Sequence, residues 1–167
     1  MKYKGIGIDL GTTNCVVTYV DDSGKVCKIP NKDGFDITPS SIYVSESGEI
    51  DTKTGKPKIK YTVGQKAKNL LLKEPKNVIS SFKPYMGTKH VLKELHGRAF
   101  TAQHCSMLLL KYLKDSAEQY LGESIQDAVI TVPAYFTENQ KSATVTAAKL
   151  AGLKVLELLP EPASSAY

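Results

Sequence analysis

The chain has 167 residues, 41% of them hydrophobic and 23% charged, with a formal net charge of +5. That balance excludes a disordered chain, and the length suits one domain with a buried core. All but one of the 22 basic residues are lysine, Arg98 being the exception; base and phosphate recognition favours the bidentate guanidinium, so the excess reads as a solvated lysine surface and no nucleic-acid partner is expected.

Two apolar, β-branched runs, residues 6–10 and 15–20, flank the turn Gly11-Thr12-Thr13-Asn14 and predict an antiparallel hairpin. A turn at 21–24 and a third short strand over 26–29 make a three-stranded meander. From Pro30 to Arg98 the character changes. Pro39, Pro57, Pro75 and Pro84 punctuate short runs at 41–44 and 60–63, a small helix is predicted over 65–73, and eight lysines fall between Lys53 and Lys76. This span reads as an insertion beside the main sheet, with its lysines in solvated loops. Ala102, Cys105, Leu109, Tyr112 and Leu113 then recur at helical spacing and predict a helix over 101–120, stopped at Leu121-Gly122. The run 128–132 is apolar enough to predict a central strand buried on both faces, ended by Pro133. Thr137 and Gln140 form a capping box for a helix running to Ala151 and closed by Gly152; a strand over 153–159 follows, and residues 163–166 begin one more helix.

Three antiparallel strands followed by two helix crossovers predict an α/β fold: a mixed five-stranded sheet flanked by helices. Cys15, Cys27 and Cys105 are odd in number, widely spaced and without a Cys-x-x-Cys pair. They read as small core residues in a reducing, cytoplasmic setting. No run is apolar and long enough for a signal-peptide core or a membrane span, so no membrane association is expected.

The chemistry concentrates in the first turn. A dinucleotide loop opens a helix, whereas the residues after Gly11 return to β-branched types, and no Gly-Lys-Ser/Thr closes a Walker loop. Gly11 admits close backbone approach, the following N–H groups suit an anion nest, and the Thr12 and Thr13 hydroxyls add donors. Asp9, at the strand end, would repel a bound phosphate unless a divalent cation lay between them, Mg²⁺ reached through water. The competing reading is an ordinary hairpin whose polar residues satisfy turn donors. In open sheets ligands gather at the carboxyl ends of strands, where Asp9, Pro133 and Glu161 should all arrive.

Four stretches carry a resemblance: Gly7-Ile8-Asp9-Leu10-Gly11-Thr12-Thr13-Asn14; Ile37-Thr38-Pro39-Ser40; Val129-Ile130-Thr131-Val132-Pro133-Ala134-Tyr135-Phe136; and Ala151-Gly152-Leu153-Lys154-Val155-Leu156 with Glu161-Pro162. In this order the chain resembles the ATPase domain of the heat shock 70 (DnaK-type) chaperones along its whole length. The resemblance implies the actin-like, ribonuclease-H-like ATPase fold, with lobe I alone represented. By the resemblance, residues 1–37 and 99–167 would be its core subdomain and 38–98 the inserted small α+β subdomain, and lobe II and the substrate-binding domain would be absent. It implies ATP or ADP with Mg²⁺, and K⁺ as a further cation. Unfolded client polypeptides, a J-domain cochaperone and a nucleotide exchange factor are the implied partners. Gly11, Thr12, Thr13 and Asn14 fall on the family's first phosphate loop, Asp9 on the residue placing hydrated Mg²⁺, Lys83 on the catalytic lysine and Glu161 on the glutamate near cation and nucleotide. Pro133 and Lys141 fall on the interdomain switch.

From the residues alone, Lys83 is one more surface lysine and Pro133 a strand terminator. The chain departs from the family pattern at Pro84, Lys141, Glu157 and Pro160, two of which, Lys141 and Glu157, lie where the family couples ATP state to its partners. Two further function classes share some of these features. An actin- or sugar-kinase-type ATPase would have the first loop and Asp9 but lack the 132–136 stretch and Lys83 before Gly87, and a non-catalytic lobe would dock cochaperones or a nucleotide exchange factor. With one wall of a cleft, the chain by itself is expected to hydrolyse ATP barely.

Overall fold

The computed structural model describes residues 5–161. Its organising strand, β1 (Gly5–Leu10), alternates small and bulky residues: Ile6, Ile8 and Leu10 are buried, whereas Gly5, Gly7 and Asp9 face the other way. β1 pairs antiparallel with β2 (Asn14–Val20), which pairs with β3 (Val26–Ile29), as the predicted meander requires. On its other edge β1 runs parallel to β10 (Asp127–Val132), and β10 parallel to β11 (Lys154–Pro160), giving the strand order β11-β10-β1-β2-β3. Parallel neighbours need long crossovers, which α2 (Ala102–Leu121) and α3 (Glu138–Leu150) supply. The mixed α/β architecture is therefore the one the chain adopts. A sixth strand, β4 (Ile37–Pro39), also pairs with β2 beside the turn at 11–13, through Asn14 and Pro39.

The insertion builds two smaller sheets. β5 (Ser41–Ile50) lies between β6 (Pro57–Val63) and β7 (Val78–Ser80), and β8 (Val91–Leu95) pairs with β9 (Arg98–Thr101), which runs directly into α2. The hairpin is longer than the 41–44 and 60–63 runs predict, because the outer halves of β5 and β6 are exposed and alternate without a strong apolar signal. The small helix α1 (Gln65–Asn69) stops earlier than predicted. All eight lysines between Lys53 and Lys76 are exposed.

Local caps act as their residue types dictate. Thr101 Oγ1 accepts the His104 N–H at 3.2 Å, Gly122 closes α2 in the left-handed region, and both halves of the Thr137–Gln140 capping box are formed. α2 is buried on more than one side, through Cys105, Leu108, Leu109, Leu110 and Leu113, because it packs against α3, the main sheet and the inserted sheet together. The buried positions of α3 are small, Ala143, Thr144, Ala147 and Ala148, so the two helices approach closely.

Two sequence expectations are corrected. β10 is not buried on both faces: Ala128, Ile130 and Val132 are buried while Asp127, Val129 and Thr131 are half-buried, as on a sheet covered from one side among the described residues. Cys27 is not a core residue. It is half-exposed at the sheet edge beside Asp21, whereas Cys15 and Cys105 are fully buried. The helix predicted to begin at 163–166 lies outside the described residues.

One loop of the insertion returns to the main sheet. A single 3-10 turn at Lys83–Tyr85 is flanked by the buried Phe82 and Met86, and the Ser106 hydroxyl of α2 donates to Met86 Sδ at 3.1 Å. Gly87 then adopts φ +78° with the Asn139 and Gln140 backbone of α3 against it; a Cβ there would stand 3.0 Å from Asn139 C and O. Gly87→Ala is expected to cost about 2 kcal/mol, part left-handed strain and part backbone contact that no rotamer relieves. Urea denaturation measures it, and a cost within experimental scatter would show that this loop moves freely off α3.

Candidate functional site

Register brings the site together. Asp9 of β1 is the parallel partner of Thr131 of β10, so the two strands end side by side. Beyond β1 lies the turn at 11–13. Beyond β10 the chain closes a turn in which the Phe136 N–H donates to the Pro133 carbonyl at 3.1 Å. Beyond β11, the Glu161 N–H donates to the Val132 carbonyl at 2.8 Å, which ties that residue to the end of β10. Between these ends is a cleft of about 390 Å³ lined by Asp9, Gly11, Thr12, Thr131, Pro133, Tyr135 and Glu161.

The first turn is held from beneath. Ser40, just beyond β4, donates its hydroxyl to the Gly11 carbonyl at 2.9 Å and its backbone N–H to the Thr13 carbonyl at 2.8 Å. One buried residue thus fixes both ends of the turn. Cys15 Sγ lies 3.4 Å from Ser40 Oγ, and burial pushes its thiol up to about 11, so it remains a neutral thiol at pH 7. Thr13 and Asn14 are exposed and do not line the cleft. The Asp9 carboxylate is exposed to the cleft and oriented by the Thr131 hydroxyl, which donates to Oδ1 at 2.8 Å.

Lys83 arrives from the insertion. It is 4% exposed, its ammonium donates to the Leu10 carbonyl at the base of the turn, and Nζ is 3.7 Å from Glu161 Oε1. Burial lowers its pKa, opposed chiefly by the nearby Glu161 carboxylate. Because the folded chain disfavours the charged form, the unfolded chain binds more protons between the lowered pKa and the ordinary lysine value. The penalty is full below that window and is relieved as pH rises through it. The parent should therefore gain stability as pH rises from 7 toward 10, a gain that Lys83→Met, which lacks the titrating group, should not show. Paired urea melts of the two chains at pH 7 and 10 test it, and a variant whose stability rises with pH as its parent's does would contradict it.

Lys141 stands apart: it sits in the first turn of α3, pairs with Glu138 at 3.4 Å, and does not line the cleft. Sequence reasoning missed Ser40, Thr131 and Tyr135. Thr131 would have been found from the β1–β10 register and Ser40 from the β2–β4 pairing, neither of which periodicity reveals. Among the described residues no group of three or more His, Cys, Asp or Glu side chains gathers as a metal cage. The Asp9 carboxylate facing the cleft instead suits a cation that keeps its waters and takes its remaining ligands from phosphate oxygens, as Mg²⁺ does.

The sequence profile of the Hsp70 protein family matches residues 5–95 and 89–167. Proteins named chaperone protein DnaK from Thermotoga petrophila and Thermotoga maritima are each 41% identical over 161 residues, and that of Thermotoga neapolitana is 42% identical. Each alignment covers 96% of this chain and 25% of the relative, so the chain spans about a quarter of the length of the relatives it matches. A cleft at the ends of β1, β10 and β11, and a family match running almost from end to end, lead to one conclusion: the chain belongs to the Hsp70 family.

Proposed function

We propose that this chain forms the first lobe of an Hsp70-type ATPase domain, in which ATP binding and hydrolysis drive a cycle of unfolded-polypeptide binding and release. The observation that carries this reading is the burial of Lys83. A lysine 73 positions from Leu10 in sequence has its ammonium on the Leu10 carbonyl, beside a turn suited to phosphate oxygens and next to Glu161. Such burial is costly for structure alone and is explained by a developing charge to be met. Gly11, Thr12, Thr13 and Asn14 would hold phosphate oxygens, and Asp9 would hold Mg²⁺ through water. Such a cation, if bound there, would supply positive charge to offset that of the phosphate oxygens. Lys83 would face the γ-phosphate, with Glu161 holding its ammonium and sharing the orientation of the attacking water. K⁺ is proposed as a further cation.

Residues 1–37 with 99–167, and 38–98, are proposed as core and inserted subdomains. The other wall of the cleft would come from the remaining length that the relatives have. Client polypeptides, a J-domain cochaperone and an exchange factor are the proposed partners, with Pro133 and Lys141 relaying nucleotide state toward them, in a cytoplasmic setting. No helix among the described residues is long and apolar enough to cross a membrane.

The test is Mg-ATP titration and phosphate release with a polypeptide joining this chain to the rest of an Hsp70 ATPase domain, compared with the chain alone. The joined form should turn over and the chain alone barely. Asp9→Asn in the joined form should weaken Mg-ATP binding far more than metal-free ATP binding, because it removes the charge that a hydrated cation needs. A joined form that binds exchange factor but neither binds nor hydrolyses ATP would favour a docking lobe instead.

A further inference from the structure

Lys83 has a third partner besides the Leu10 carbonyl and the Glu161 carboxylate. Its Nζ lies 5.5 Å from the centroid of the Phe136 ring. Phe136 is 6% exposed and its backbone is tied to Pro133, so the ring is held in a fixed turn and packs edge-on against Tyr135 at 6.1 Å. An ammonium carries three N–H donors, and a buried one left without partners is costly. Here three chain segments supply three kinds of partner: a carbonyl at the end of β1, a carboxylate after β11 and an aromatic face after β10.

Resting on the reading of Lys83 as the group that meets the γ-phosphate, we propose that Phe136 is its positioning residue. The ring face holds the ammonium at the base of the 11–13 turn by a cation–π contact. Two features separate this from ordinary core packing. The ring meets a charge rather than a methyl group, and that charge is nearly excluded from water, the condition under which the attraction of a cation to a ring face is strongest. The glutamate alone would not fix the lysine, because its side chain is 35% exposed and its pull is screened by water.

The test reads the ammonium directly, in this chain with ¹⁵N-labelled lysine and Lys83→Arg to assign the signal. In the parent, the Lys83 ammonium should be shifted upfield by the ring and exchange with solvent several-fold more slowly than the exposed lysines. Phe136→Leu should remove the shift and accelerate exchange several-fold; Phe136→Tyr, which keeps the ring face, should retain both. If Phe136→Leu leaves shift and exchange as in the parent, the ring is packing only and the proposal falls. Should the leucine variant fail to fold, phenylalanines bearing successive ring fluorines keep the shape while draining the negative face. Exchange that rises step by step with fluorine supports the contact, and a flat series overturns it. None of these readouts needs ATP turnover. Normal hydrolysis by a joined form carrying Lys83→Ala would thus remove the catalytic reading without touching the clamp, and an unresponsive ammonium would do the reverse.

Discussion

Lys83→Ala, placed in a polypeptide that carries the whole ATPase domain, should lower kcat by about 10²–10³-fold while nucleotide affinity stays within a factor of about three. The asymmetry follows from geometry. On the proposed reading, ground-state contacts to the nucleotide would belong to the 11–13 turn and to a cation near Asp9, neither of which is supplied by the lysine side chain. The Lys83 ammonium sits behind that turn on the Leu10 carbonyl in a residue that is 4% exposed, where a low dielectric would strengthen its attraction for charge developing on a γ-phosphate. Its loss should therefore appear in the chemical step. Single-turnover phosphate release and a direct binding titration separate the two quantities. Equal loss of binding and turnover would assign Lys83 to ground-state binding or to structure.

Gly11→Ala should cost about 3 kcal/mol or more in the stability of the chain and, in the joined form, abolish nucleotide binding. A Cβ at position 11 would collide with the Asn14 carbonyl oxygen. Both sides of that collision are backbone. Relief requires the turn to open, which breaks the bonds from Ser40 Oγ to the Gly11 carbonyl and from Ser40 N–H to the Thr13 carbonyl, and leaves the donors of the buried Ser40 without partners. Gly7→Ala is the control. Its Cβ would meet Thr18 Oγ1 at 2.7 Å, a side chain that can rotate away, so its cost should be about 1 kcal/mol. Equilibrium denaturation of the three chains gives the comparison. A Gly11 variant no less stable than the Gly7 variant would show that the turn is plastic and that its shape does not matter.

Local chemistry was enough for much of the fold. β1, β2 and β3 follow from β-branched runs and a turn signal, and the start of α3 from Thr137 and Gln140, because hairpin turns and helix caps are decided by residues a few positions apart. Gly11, Thr12 and Asp9 stood out for the same reason: they share one turn. Periodicity went wrong at β10, where an unbroken apolar run predicts burial on both faces while only Ala128, Ile130 and Val132 are buried. Apolar character states what a strand tolerates; neighbours decide what covers it.

The rest of the site was settled by pairing. Asp9 meets Thr131 only because β1 and β10 run parallel in that register, and Ser40 reaches beneath the turn only because β4 lies along β2. Lys83 shows the division most clearly, since nothing within its own 3-10 turn distinguishes it from the exposed lysines of the insertion. Phe82 and Met86 anchor that turn in the core, and Gly87 lets it lie on α3, which turns one lysine inward. Its charge is then answered by groups from three other segments, Leu10, Phe136 and Glu161. A spacing pattern carries no information about such partners, because burial of a charge is a property of the whole packed surface around it and not of the side chain that bears it.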